Sequence, residues 1–169
     1  MRGAGPQPAK KVISMTPAIN FVKKARIQFI VHQYEHDESS SAYGEEVALK
    51  LNISRDRVFK TLVVSLETKE LAVMIVPVSK QLDLKACSAI LGAKKCQLAD
   101  QRDVERTTGY VLGGVSPLGQ KKKLRTVIDE TALGHETIYV SAGRRGLQIE
   151  LAPRDLCSSV DGTIASIGK

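Results

Sequence analysis

The sequence predicts an α+β domain: a mixed, mainly antiparallel sheet curled into a barrel-like core with surrounding helices. Three observations carry this. The elements do not alternate strand and helix as a parallel doubly wound sheet requires. Successive strands can close as hairpins, with "TIYVSAG" and "LQIEL" flanking the turn "GRRG". "LAVMIVPV", residues 71–78, is apolar on both faces and so belongs in the middle of a sheet.

In chain order, residues 1–14, rich in Gly, Pro and Ala, read as a flexible extension. They have no continuous apolar core after their positive charges and so do not read as a secretory signal. Thr16 is placed to cap a helix with Pro17 at its first position and Ala18, Phe21, Val22 and Ala25 turned inward. "FIVHQYEH" alternates as a strand, "DESSSA" is a loop, and "YGEEVALKL" is a short helix facing Val47, Ala48 and Leu51 inward. A strand over 58–66 turns at "ETKE" into the central strand. "LDLKACSAILG" is an amphipathic helix burying Leu84, Cys87 and Leu91 and stopping at Gly92. "ADQRDVERTTG" is another helix, capped by Asp100 and ended by Gly109. After a glycine-rich loop come the strand "TVID", the hairpin, and a closing helix "APRDLCSSV". One domain over 15–160 and a tail over 161–169 follow from this layout.

The net charge is +7; Arg2, Lys10 and Lys11 supply three of it, leaving +4 on the rest. That balance permits nucleic-acid binding. No Trp, three Phe and four Tyr are too few for a single-strand binder working through rows of stacked bases. Cys87, Cys96 and Cys157 are odd in number and widely spaced, which fits a reduced, cytoplasmic protein without a metal site or cofactor. No apolar run reaches the roughly 18 to 20 residues of a membrane span.

Lys60 interrupts the apolar strand "RVFKTLVV". Alternation puts Val58, Lys60, Leu62 and Val64 on one face and Phe59, Thr61 and Val63 on the other. Either the ammonium snorkels to water along its stem, or it faces a ligand at the mouth of a pocket. In "GYVLGGVSPLGQKKKLR", residues 109–125, Gly113 and Gly114 let a backbone approach a ligand, and their amides can hold a carbonyl or an anion. Lys121, Lys122 and Lys123 follow at once, and Arg144 and Arg145 lie in the "GRRG" turn; these five cations are candidates for nucleic-acid phosphates. Walker and Rossmann patterns are absent. His32 and His36 read as ordinary strand residues, and no hydrolytic triad assembles.

Taken in order, "YEHD", "YGEEVALKL", "RVFKTLVV", "ADQRDVERTTGYVLGGVSPLGQKKK", "TVIDETAL" and "ETIYVSAGRRGLQIEL" resemble the YbaK-type deacylases from about Met15 to Leu156. These are free-standing relatives of the editing domain inserted in prolyl-tRNA synthetase. The resemblance implies a barrel-like fold and a trans-editing hydrolase of the ester in mischarged cysteinyl-tRNA(Pro), with cysteinyl-tRNA(Cys) as a second substrate. It places the family's lysine on Lys60, its pocket tyrosine on Tyr34 and its glycine loop on Gly113 and Gly114 within "GGVSPLG", which adds Ser116 and Pro117 as substrate-binding positions. Gln148 stands where some relatives carry an acid. The implied partners are the aminoacylated end of tRNA and prolyl-tRNA synthetase. A deacylase of alanyl-tRNA(Pro) and a non-catalytic tRNA-binding module are the rival readings.

Overall fold

A computed structural model describes residues 15–169; the extension expected over 1–14 lies outside the described residues. Helix α1 (Pro17–Lys24) starts where its cap requires: the Thr16 hydroxyl accepts from the Ile19 N–H, and Pro17 occupies the first turn. Ala18, Ile19 and Val22 are buried; Phe21 is only partly so, and Ala25 is the exposed C-cap rather than a core residue. Strand β1 (Phe29–Gln33) stops before His36. Helix α2 (Tyr43–Leu51) has no side-chain cap, carries Glu45 and Glu46 in its first turn, and ends at Asn52 in the left-handed conformation.

Strands β2 (Phe59–Leu66) and β3 (Leu71–Pro77) form the predicted antiparallel hairpin. Helix α3 (Leu84–Leu91), capped by the Asp83 carboxylate, buries Cys87 and Leu91 but leaves Leu84 exposed, against the expectation from its spacing. Burying a leucine such as Leu91 is worth about 2 kcal/mol, which fixes the helix on the sheet. A short strand β4 (Cys96–Leu98) follows, then helix α4 (Gln101–Thr108) with the predicted Asp100 cap and Gly109 stop. Strand β5 (Arg125–Asp129), the hairpin β6 (Ile138–Ser141) and β7 (Leu147–Leu151), helix α5 (Pro153–Ser159) and strand β8 (Thr163–Ala165) complete the chain.

The strands form two sheets, ordered β1-β7-β6 and β4-β2-β3-β5-β8. Four of the six pairings are antiparallel and two, β3 with β5 and β5 with β8, are parallel; the α+β class with mixed pairing is as predicted, but the strands divide between two sheets where one was expected. The barrel-like core is not confirmed: no closed barrel forms among the described residues, and the strand pairing that links the two sheets there is an isolated parallel bridge, Val58 with Tyr139. The main core, including Ile19, Phe59, Ile75, Ile128 and Ile149, draws on both sheets. A second cluster holds Cys87 and Leu91 of α3 with Val64, Met74, Val127 and Ile167; a third holds Val47 and Ala48 of α2 with Val58, Val78 and Tyr139.

The segment 161–169, read from the sequence as a tail, carries β8, an edge strand of the five-stranded sheet. β8 pairs with β5, Ile167 is fully buried, and the buried Asp129 carboxylate accepts from the N–H groups of Ile167 and Gly168 at 3.0 and 2.9 Å. No helix among the described residues is long and apolar enough to cross a membrane.

Candidate functional site

The gap between the sheets is a cleft of about 390 Å³, and it opens along β2 between the stretch that pairs with β4 and the Val58 bridge to Tyr139. Along β2, the Val78 N–H donates to the Val58 carbonyl and the Leu66 N–H to the Glu70 carbonyl, so even-numbered residues bond toward β3. Odd-numbered residues turn their N–H and C=O the other way. There β4 pairs only with Val64–Leu66, and the Ala99 N–H reaches the Val63 carbonyl. Among the described residues, then, no strand pairs with Thr61 on the edge away from β3, where residues 58–62 line the cleft. The Thr61 hydroxyl, also buried, has no hydrogen-bond partner among the described residues.

Lys60 is half-buried at this wall. It makes no hydrogen bond or ion pair with the described residues, and loss of water lowers its pKa from the ordinary lysine value, with Glu45 opposing the shift and Arg55 adding to it. Tyr43, Gly44 and Glu45 from the first turn of α2 line the same cleft, with Val47 one turn on. Tyr34 also lines the cleft; its N–H donates to the Gly146 carbonyl at 2.9 Å, and burial raises its phenol pKa. Ser141 and the buried Gln148 contribute polar groups from the β6–β7 hairpin.

The glycine loop enters the cleft at Leu112, Gly113 and Val115. Gly113 has φ +89°, and a Cβ there would fall 2.7 Å from Tyr43 Cε2 and 2.8 Å from Arg145 Nε. Arg145 lies 4.1 Å over the Tyr43 ring and donates to the Tyr43 hydroxyl and, at 3.3 Å, to the Leu112 carbonyl. The hairpin turn thus clamps the loop to α2. At Gly114 a Cβ would lie 3.2 Å from the Arg144 Cα, so this glycine serves backbone packing against the turn.

Of the residues expected to bind substrate, Tyr34 and Gly113 share the cleft with Lys60, whereas Gly114, Ser116 and Pro117 are buried away from it. The Ser116 hydroxyl accepts from the Leu118 N–H at 3.2 Å, and its carbonyl from the Gln120 side chain. The expected phosphate contacts divide in the same way. Arg145 is at the rim of the cleft, and Arg144 is exposed beside it. Lys122 and Lys123 line a separate groove with Lys69, Arg106 and Arg125. There Lys123 pairs with Asp161, Arg106 with Asp103 and Arg125 with Glu70. Lys121 is exposed next to them, its N–H bonded to the Thr108 carbonyl.

The histidines are more than ordinary strand residues. His32 Nε2 lies 2.8 Å from Glu150, whose carboxylate also accepts from Thr137 at 2.5 Å, while Arg57 stacks on Tyr139 5.1 Å from its centroid. Burial alone would raise the Glu150 pKa, but hydrogen bonds from Thr137, His32 and Tyr139 hold it below the ordinary carboxylate value. His36 lies beyond β1, its Nδ1 2.7 Å from the buried Glu46 carboxylate. Burial, with Cys96 and Asp83 nearby, pushes the Cys87 thiol up to about 12, which leaves it a core residue and no nucleophile. No group of three or more His, Cys, Asp or Glu able to hold a metal ion occurs among the described residues.

Sequence reasoning did not single out Tyr43, Glu45, Leu112, Val115 or Ser141. The available signal was at "YGE": an aromatic and a glycine opening an uncapped helix mark an end that docks closely on something else.

The aminoacyl-tRNA editing domain family matches residues 37–158. A relative from Enterococcus faecalis (strain ATCC 700802 / V583), provisionally named Cys-tRNA(Pro)/Cys-tRNA(Cys) deacylase EbsC, is 37% identical over 94% of this chain and 96% of its own length. The proline–tRNA ligase of Lactobacillus helveticus (strain DPC 4571) is 28% identical over 69% of this chain, which spans 20% of that enzyme. A crystal structure described as a provisional trans-editing enzyme for prolyl tRNA synthetase superposes with a TM-score of 0.79 at 20% identity, covering 92% of this chain and 99% of that one.

Proposed function

The chain belongs to the aminoacyl-tRNA editing domain family, and from that premise we propose that it is a trans-editing hydrolase that deacylates cysteinyl-tRNA(Pro) and, as a second substrate, cysteinyl-tRNA(Cys). The observation that carries the site assignment is the Lys60 ammonium, half-stripped of water, without a hydrogen-bond or ion-pair partner among the described residues, in the wall of an apolar cleft. An ammonium so held is available to a substrate oxygen and acts with more force than in bulk water. Lys60 fixes the ester or ribose oxygens, while the N–H groups of Thr61 and Gly113, at the cleft wall and in the loop, receive the aminoacyl carbonyl.

Among the described residues no Cys or His lines the cleft, and neither Ser141 nor Thr61 is hydrogen-bonded to a histidine. The nucleophile is then the substrate's own thiol. It attacks the ester carbonyl, the new carbon–sulfur bond replaces the carbon–oxygen bond to ribose, and the thiol proton ends on the departing ribose oxygen. Water opens the resulting thiolactone to free cysteine. The protein supplies alignment and charge stabilisation.

The partner is the aminoacylated acceptor end of tRNA, with Arg145 at the cleft rim and the Lys121–Lys123 run reaching phosphates further along. A cleft of this size receives mainly the aminoacyl end, so selection of the tRNA body falls to a complex with prolyl-tRNA synthetase. The test is release of amino acid from cysteinyl-tRNA(Pro), cysteinyl-tRNA(Cys) and alanyl-tRNA(Pro) by purified protein. Release from the cysteinyl esters is expected. Release from alanyl-tRNA(Pro) alone refutes the thiol mechanism, and release from none refutes the enzyme.

A further inference from the structure

Among the described residues that line the cleft, Lys60 and Glu45 are the only basic and acidic ones. They come from different elements, β2 and the first turn of α2, and are not paired with each other. Glu45 uses Oε1 for Arg55, whose Nη2 lies 2.5 Å away. A carboxylate has about four acceptor sites over its two oxygens, so Oε2 remains free to bind a second donor. An aminoacyl ester carries a matching pair of charges: an α-ammonium beside the carbonyl on one side, and ribose oxygens and phosphate on the other. Only one seating puts the substrate ammonium at Glu45 and its oxygens at Lys60. The reverse seating would set the substrate ammonium against that of Lys60.

We infer that Glu45 receives the α-ammonium of the aminoacyl group, so that the site selects esters with a free amino terminus and orients them with their oxygens toward Lys60. This rests on the aminoacyl-tRNA reading above. Glu45 has a second route of influence, since its negative charge also favours the charged form of Lys60. That route would change the rate for every ester alike. A direct contact changes the ratio between esters that have the ammonium and those that lack it.

The experiment is single-turnover deacylation of cysteinyl-tRNA(Pro) and of its α-hydroxy analogue, in which a hydroxyl replaces the ammonium and the thiol is kept. Each rate is divided by that of the uncatalysed hydrolysis of the same ester. The wild-type chain is expected to favour the ammonium substrate by about 10-fold, the usual scale of one hydrogen bond to a charged group. Glu45→Gln should bring the ratio close to one, Glu45→Asp should give an intermediate ratio, and Arg55→Gln should keep the wild-type ratio. Circular dichroism establishes that each variant is folded. A wild-type ratio near one, or equal slowing of both substrates by Glu45→Gln, overturns the assignment. A wild-type chain that releases neither ester overturns the deacylase reading, and the assignment falls with it.

Discussion

Replacing Lys60 separates its chemical role from its structural one. Lys60→Ala removes three methylenes at half burial, which costs about 1 kcal/mol of stability and lowers the melting temperature by about 2–4 °C for a chain of this size. Lys60→Met keeps most of the apolar stem and removes the charge. Because burial lowers the Lys60 pKa in the folded chain, the unfolded chain binds the extra proton more tightly. The resulting penalty is fully present below the lowered folded value and fades as pH rises through it toward the ordinary lysine value. Lys60→Met should therefore be more stable than wild type at pH 7, with the difference shrinking toward pH 10. Deacylation should fall about 100- to 1,000-fold in both variants, the usual loss for one charge-stabilising group. Single-turnover release from cysteinyl-tRNA(Pro) and thermal melts at the two pH values measure both effects. Release within 10-fold of wild type in Lys60→Met, or a stability difference that grows with pH, would refute the reasoning and return Lys60 to snorkelling.

Gly113→Ala should slow release more than it weakens tRNA binding, because the added Cβ strains a left-handed backbone and pushes Arg145 from Tyr43; equal losses in filter binding and turnover would make the loop a general tRNA contact. Reversing Lys121 and Lys122, which have no ion pair to lose, should weaken tRNA binding and reduce its salt slope by about 0.7 to 0.9 per phosphate contact removed; an unchanged slope makes the run a solvated edge. Asp129→Asn should cost about 3 kcal/mol in denaturant melts, since a neutral amide cannot accept from the Thr131, Ile167 and Gly168 donors together. Burial favours the neutral acid at Asp129, but bonds from Thr131, Ile167 and Gly168 outweigh it and hold the pKa below the ordinary value. Its stabilisation should be complete above about pH 4 and lost as pH falls through the folded value; a wild-type acid transition unaltered in Asp129→Asn would refute this.

Local rules made most of the elements legible in the sequence. Thr16 and Asp100 cap helices, Gly92 and Gly109 end them, and the run 71–78 is central, because each signal acts within a few residues. β4 and β8 were not legible. Each is three residues long, too short for a periodic pattern, and is held by a partner far away in sequence. The same division holds at the site. Lys60 stood out as a charge in an apolar strand, Gly113 as part of a glycine-rich loop beside a basic run, and Tyr34 through family resemblance. The burial of Ser116 and Pro117, and the arrival of Tyr43, Glu45 and Ser141 at the cleft, depend on how α2, the loop and the hairpin pack, which spacing does not encode.

The parallel pairing of β8 on β5 also bears on the order in which the molecule is made. Synthesis delivers β3 and β5 before residues 163–168, and β5 then presents a row of unpaired amides that β8 will later cover. Such an edge is a template for pairing with another chain, and nascent or truncated chains are exposed to it for as long as β8 is missing. Asp129 closes that interval. Lying at the end of β5 with its carboxylate ready for the Ile167 and Gly168 amides, it lets the arriving segment lock in one register instead of leaving the edge open to a neighbouring chain.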